Sequence, residues 1–213
     1  MTVKPADQWI VVTESLGLLR AAAAMVHDTG IGDAGIGDTG RAAPTPCAEW
    51  TVTQVLQHAV GDQLAWAAVL GVGTGPAENP FAPSGHIETG VDALIEPALA
   101  AARAAWAGVA ADDGAVPTPL PQGRLSAQVA AGACALDAAV HAWDIAVALG
   151  RPGFLPNSLA EQLLPAARAV VEPLRPFAYA AALPPQPADA PAAELLRYLG
   201  RDPQWQPGDA HRS

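Results

Sequence analysis

Apolar residues recur at three- and four-residue steps in four long segments of the chain, which is the spacing of one face of an α-helix. The predicted long helices span residues 7–27, 51–70, 88–110 and 127–149. Two shorter helices are predicted at 157–171, with an interruption at Pro165, and at 192–199. The pattern therefore predicts an all-α protein, a four-helix bundle with a short helical extension at its C-terminal side.

The connections between these helices are rich in residues that form turns. Residues 28–40 are rich in glycine and aspartate and are expected to form a surface loop, and residues 71–87 hold three prolines and four glycines. A short hairpin is predicted between Pro117 and Arg124. We expect one domain over residues 1–213, in which residues 6–150 form the bundle core and the remainder forms the extension.

The composition agrees with a helical protein. Hydrophobic residues make up 51% of the chain and aromatic residues only 5%, and alanine, the strongest helix former, dominates the hydrophobic set. Strands would need more aromatic and β-branched residues. A chain of 213 residues is long enough to bury a sizeable core within one domain.

The net charge narrows the classes of partner. It is −10, with only 11 lysines and arginines, and neutralising phosphates requires those residues, so nucleic-acid binding and docking on anionic membranes are not expected. The chain shows no signal-peptide pattern and no apolar run of the ~18 residues that a membrane span requires. We therefore expect a cytoplasmic protein, a monomer or homodimer, that acts on a small molecule.

The fourth predicted helix carries the most informative polar residues. Nearly all of its residues are small or apolar. His141 and Asp144 follow Asp137 by four and seven residues, so the three side chains share one stripe of the helix. A buried carboxylate must be paired, protonated or bound to a metal. An oxygen and an imidazole nitrogen on consecutive turns can chelate one ion, although such a pair can also be a plain salt bridge.

A third ligand is expected from a facing helix, and His58 in the second helix is the best candidate. Two histidines and one carboxylate leave coordination positions open, as catalytic metal sites do. Zinc, nickel, iron and manganese all accept this donor set. Further candidates near the site are Asp144, which could orient a ligand histidine or bond a neighbouring helix, Trp143 as core or pocket wall, and the loop residue His86 as a fourth ligand or acid/base group.

Three blocks of the sequence carry a resemblance to a known family. They are PTPCAEWTVTQVLQHAVGDQLAW at 44–66, ALDAAVHAWDIAVALGRP at 135–152 and LLRYLGRDPQW at 195–205. Together they resemble actinobacterial metal-binding proteins that belong with the N-terminal domain of mycothiol-dependent maleylpyruvate isomerase, in the DinB-like superfamily. The patterns W-T-V-x-x-V-L-x-H and D-x-x-x-H-x-W-D-I-A are specific in combination.

The resemblance implies a DinB-like four-helix bundle with one divalent metal ion held by His58, Asp137 and His141. The isomerase looks to have glutamate where this chain has Asp137, and the shorter side chain reaches about 1.5 Å less. Residues 151–213 are too few to repeat the larger C-terminal domain of that enzyme, so its substrate does not carry over.

The function expected from the resemblance is that of a metal-dependent enzyme that uses a thiol, with mycothiol as co-substrate, in S-transfer or isomerisation of a small electrophile. Two alternatives remain open. One is a cyclase, isomerase or hydrolase that uses the same bundle without a thiol, because a fold does not fix a function. The other is a binding module that has no catalytic activity and keeps only a vestigial metal site.

Overall fold

The computed structural model describes residues 8–28 and 41–208. In these residues the helices are α1 (Ile10–Asp28), α2 (Val52–Val69), α3 (Val91–Ala107), α4 (Ala127–Ala148), α5 (Asn157–Ala178) and α6 (Pro191–Tyr198). The strands of the described part are β1 (Val116–Pro117) and β2 (Arg124–Leu125), which pair antiparallel in the predicted hairpin. The all-α prediction is confirmed. The glycine- and aspartate-rich segment expected to be a loop lies, but for residue 28, outside the described residues.

The first four helices form the bundle. Helix α1 lies between α4 and α3, and α2 lies between the same two neighbours on the other side, so α1 and α2 are diagonal to each other. Helix α5 packs along α4 and touches α1, and α6 packs on α5. The C-terminal extension therefore covers the outside of the helix that carries the predicted metal ligands.

Helix α5 is longer than predicted. The sequence prediction ended it at residue 171 with a break at Pro165, whereas the helix continues to Ala178 through Pro165, Pro173 and Pro176. All three prolines lie on the exposed side, where water can satisfy the carbonyl groups that lose their intrahelical partner. The opposite face buries apolar residues at helical spacing from Leu159 to Leu174, and this packing keeps the segment helical.

Helix α4 is the centre of the molecule. Apart from Gln128, Val129 and Asp137, all of its residues are buried. It is long and apolar enough by composition to cross a membrane, and 89% of its most apolar window is buried inside the protein, as the core helix of a bundle requires. Its small side chains let neighbouring helices approach closely, as at Gly132, which lies against Ala166 of α5.

Gly132→Ala is expected to destabilise the protein. A Cβ atom at this position would lie 2.4 Å from the Cβ atom of Ala166 on α5, so the two helices would have to separate. Overpacking of this kind costs about 1–3 kcal/mol, which exceeds the helix-propensity gain of about 1 kcal/mol. Urea unfolding measures the difference.

Gly17→Ala is the matched control for this change. It also replaces a glycine within a helix, but nothing lies within 4 Å of the added Cβ atom, so we expect a gain of about 0.5–1 kcal/mol. The double variant Gly132→Ala/Ala166→Gly should recover part of the loss. A stabilised Gly132→Ala protein would show that α4 and α5 are not in close contact there.

Candidate metal centre

Helices α2 and α4 each carry a histidine and an aspartate four residues apart, in opposite order along the chain. Thr51 caps α2 through a capping box, in which its side chain accepts from the backbone N–H of Gln54 and the Gln54 side chain accepts from the N–H of Thr51. His58 and Asp62 follow one turn apart on α2, while Asp137 and His141 lie one turn apart on α4. Because the two helices are neighbours, these four side chains meet.

Two imidazole nitrogens converge on one carboxylate oxygen. The Nε2 atom of His141 lies 3.5 Å from Oδ1 of Asp137, and the Nε2 atom of His58 lies 3.9 Å from the same oxygen. The ligand atoms of the three residues lie within 4.8 Å of one another. Ligands about 2.0–2.1 Å from a tetrahedral ion are about 3.4 Å apart, so small side-chain movements would close the three groups around one ion.

The ring of His58 is oriented by a loop carbonyl. Its Nδ1 atom lies 3.0 Å from the backbone oxygen of Pro80, and because that oxygen can only accept, Nδ1 carries the proton. In the neutral ring Nε2 is then free to bind a metal. Pro80 can approach so closely because residue 61 is glycine: a Cβ atom there would lie 2.9 Å from Pro80 Cγ.

The ring of His141 is oriented in the same way by a carboxylate. Its Nδ1 atom lies 3.0 Å from Oδ2 of Asp144, one turn further along α4. Burial lowers the pKa of His141 to about 4, so the ring is neutral at pH 7. Nδ1 donates to Asp144, and the Nε2 atom that faces Asp137 has a free lone pair.

The carboxylates beside the two histidines, Asp62 and Asp137, have no lysine or arginine partner in the part of the chain that the structure describes. Burial and, after it, the neighbouring Asp62 raise the pKa of Asp137 well above its usual range, and burial also raises the pKa of Asp62. Gln63 donates to Asp137 Oδ2 at 3.2 Å, but among the described residues neither Asp62 nor Asp137 forms an ion pair with a lysine or arginine. Two carboxylates and two imidazoles match a divalent cation in charge and in donor type. The residues present therefore fit a metal ion.

Asp144 is in a different electrostatic situation. Its side chain is 0% exposed, and its two oxygens accept hydrogen bonds from Nε and Nη2 of Arg201, each at 2.8 Å. Burial acts to raise the pKa of Asp144, but the guanidinium of Arg201 and the hydrogen bond from His141 outweigh it and hold the pKa below its usual range. The thiol of Cys47 also donates to Asp144, at 3.2 Å, while burial and the Asp144 carboxylate raise the pKa of that thiol.

Aromatic residues line the surroundings of His58. The ring of Trp50 lies 4.6 Å and that of Phe81 lies 5.3 Å from the imidazole, and the Phe81 side chain is 61% exposed. Tyr179, which follows α5, interacts electrostatically with Asp137 and Asp62 and so belongs to the same region. Trp143, considered above as core or pocket wall, is buried in the core.

His86 is not brought to the three predicted ligands. It lies in the loop between α2 and α3, lines a cavity of about 490 Å³ with Gln57 and Glu88, and also lines a second cavity of about 350 Å³ beside Arg41. None of the predicted ligands lines either cavity, and His86 belongs to neither of the clusters of metal-binding side chains among the described residues. Its predicted role as a fourth ligand or acid/base group stays a prediction.

Two residues of the centre were missed at the level of sequence. Asp62 follows His58 by four residues, the mirror image of the Asp137–His141 spacing, so the signal was present in the W-T-V-x-x-V-L-x-H block and its continuation. Arg201 lies 57 residues from Asp144 in a polar tail, and no periodicity points from one to the other.

Comparison with known proteins identifies the family. The profile of the mycothiol maleylpyruvate isomerase N-terminal domain matches residues 33–146, which include all three predicted ligands. Two uncharacterized proteins of Mycobacterium tuberculosis, MT0763 of strain CDC 1551 and Rv0738 of strain H37Rv, are each 37% identical over 167 residues, covering 74% of this chain and 83% of theirs. No solved structure matches the chain. The chain belongs to the mycothiol maleylpyruvate isomerase N-terminal domain family.

Proposed function

We propose that this protein is a metal-dependent enzyme in which His58, Asp137 and His141 hold one divalent ion, and in which a thiol such as mycothiol reacts with a small electrophile. The observation that carries the proposal is the convergence of two correctly oriented Nε2 atoms on Asp137 Oδ1. Each ring is fixed by a hydrogen bond at its other nitrogen, as ligand histidines usually are.

The chain's own residues supply two functions in such a reaction, metal binding and proton acceptance. His58, Asp137 and His141 bind the ion, and because His141 is neutral its Nε2 lone pair is available. When bound, a divalent ion with open positions lowers the pKa of a thiol or water and supplies a nucleophile at neutral pH. Asp62, whose side chain is 22% exposed and lies 3.6 Å from His58 Nε2, is placed to accept the proton that the nucleophile gives up.

The reaction class follows from what a thiolate does with a small electrophile. In a transfer, the sulfur forms a bond to carbon while the leaving group departs with the bond electrons and takes up a proton. In an isomerisation, the sulfur adds to an activated double bond, rotation follows, and the same sulfur leaves again. The exposed ring of Phe81 offers an apolar contact for the substrate beside the centre. We infer a cytoplasmic site of action and a monomeric or homodimeric enzyme.

Metal content tests the first half of the proposal. The protein as purified and after loading with zinc, nickel, iron or manganese should hold about one equivalent of one of these ions. His58→Ala and His141→Ala should each weaken binding by more than the roughly 10–100-fold that loss of an outer-shell partner costs. His86→Ala is the matched control and should bind as the wild type does, since His86 lies outside the centre.

Thiol consumption tests the second half. The metal-loaded protein is incubated with mycothiol and a panel of epoxides, activated alkenes and alkyl halides, and products are followed by mass spectrometry. Product that requires both metal and thiol supports the proposal. Product formed equally without thiol would instead indicate a cyclase, isomerase or hydrolase, and failure of wild-type protein to bind any metal would leave the binding-module alternative.

A further inference from the structure

The carboxylate of Asp144 stands between the metal centre and the C-terminal tail. Its Oδ2 atom accepts from His141 Nδ1 at 3.0 Å, from Arg201 Nη2 at 2.8 Å and from the Cys47 thiol at 3.2 Å, while Oδ1 accepts from Arg201 Nε at 2.8 Å. A guanidinium bound to both oxygens fixes the plane of a carboxylate as well as its position. The plane of Asp144 in turn fixes the direction of the His141 N–H bond.

The backbone around Arg201 is built for close approach to the body of the protein. Helix α6 ends at Tyr198, Gly200 follows with φ 80°, and the N–H of Arg201 closes the turn on the carbonyl of Leu196 at 2.9 Å. A Cβ atom at position 200 would lie 2.8 Å from Ala180 Cβ and Ala181 O. Only glycine satisfies both the left-handed φ and this contact, so the tail can enter far enough for Arg201 to reach Asp144.

We propose that Arg201 is a positioning residue of the metal centre, through which the C-terminal tail of this chain holds Asp144 and thereby the ligand His141 in the orientation that binds the ion. The inference rests on the proposed metal site. It goes beyond that site because Arg201 is none of the proposed ligands and lies outside residues 33–146, the part that the family model matches.

Charge explains why Arg201 is needed. Asp144 is 0% exposed, and Arg201 is its cationic partner. Without the guanidinium, which bonds both of its oxygens, the carboxylate would be free to rotate. Rotation would remove the fixed acceptor for His141 Nδ1–H. Loss of such outer-shell partners typically weakens metal binding by about 10–100-fold.

A purely structural role for Arg201, as a staple that holds the tail, predicts a different result. Arg197 provides the comparison. It lies one turn earlier on α6 and pairs with Asp189 at 3.1 Å, with both side chains 11% exposed, and it makes no contact with the metal centre. Arg197→Met and Arg201→Met each remove one ion pair of the tail, and only the pair of Arg201 leads to a proposed ligand.

The test measures metal affinity by competition with a chelator in wild type, Arg201→Met, Arg201→Lys and Arg197→Met. We expect Arg201→Met to bind metal about 10–100-fold more weakly, Arg201→Lys to fall between it and wild type, and Arg197→Met to stay within about threefold of wild type. Equal affinity of Arg201→Met and wild type, or an equal loss in Arg197→Met, would overturn the proposal. Arg201→Lys keeps the positive charge but not the two-donor geometry, so its metal affinity tests the proposal if Arg201→Met does not fold.

A second readout does not depend on metal. ¹⁵N NMR of the histidine rings in metal-free protein should show His141 in the single Nδ1–H tautomer in wild type and Arg197→Met. In Arg201→Met the ring should populate both tautomers. If wild type binds no metal, the proposed function fails, and this spectrum still decides the inference: an unchanged His141 tautomer in Arg201→Met contradicts it.

Discussion

Asp137→Asn is expected to make the metal-free protein more stable and, at the same time, to abolish metal binding. Burial and the neighbouring Asp62 raise the pKa of Asp137, so ionising it at pH 7 costs free energy in the folded state. The amide that replaces it carries no charge and can still bond with Gln63. We expect a gain of roughly 1–2 kcal/mol, or about 2–8 °C in Tm.

The pH dependence of this effect has a definite sign. A carboxyl group whose pKa is raised on folding binds its proton more tightly in the folded protein, so its contribution is fully present below the unfolded value of about 3.9 and is lost as the pH rises through the folded value. The advantage of Asp137→Asn over wild type should therefore grow as the pH rises above the unfolded value and level off once it has passed the folded value. Asp112→Asn, at an exposed position, is the control for the removal of one carboxylate.

Added metal should reverse the order of the two proteins. An ion at 100 times its Kd stabilises the wild type by about 2.7 kcal/mol through mass action, while Asp137→Asn gains little. Thermal unfolding with a chelator and then with metal in excess measures both values. An Asp137→Asn protein that is less stable than wild type in the chelator, at every pH, would show that the carboxylate is structural.

Asp144→Leu is expected to be strongly destabilising, by about 3–5 kcal/mol, because it leaves Arg201 buried and unpaired. The double variant Asp144→Leu/Arg201→Met removes both charges and should recover most of this loss, since replacing a whole buried ion pair by apolar residues is often close to neutral. Urea unfolding of both single variants and the double variant gives the coupling energy. A double variant as unstable as Asp144→Leu alone would show that the penalty arises from packing and not from the orphaned guanidinium.

The fold was predictable because its helices obey a simple period. Apolar spacing predicted the four bundle helices, the proline-rich connection after Pro117 indicated the hairpin, and the capping pattern of Thr51 and Gln54 is present in the structure. The length of α5 was not predictable from local rules, because prolines on a solvent-exposed face do not end a helix whose other face is buried. The helix continues because it packs against α4, and the local spacing of apolar residues does not reveal this tertiary contact.

The candidate site was predictable only where its residues share a helix. Spacing within one helix predicts Asp137, His141 and Asp144, whereas the choice of His58 on a facing helix rested chiefly on the family pattern. Asp62 follows His58 with the same four-residue spacing. Arg201 meets Asp144 only through the path of α5 and α6, so its role depends on tertiary structure alone.

The contact between Gly61 and Pro80 divides the connection between α2 and α3 into a fixed part and a variable part. His58 uses the backbone carbonyl of Pro80, so what must be preserved is the course of the main chain past Gly61 and not a side chain. Gly61 and Pro80 also line the 490 Å³ cavity, together with residues further along the loop such as Ser84 and Glu88. Substitutions at these later positions would change the cavity wall while the main chain at Pro80, and with it the orientation of His58, is retained.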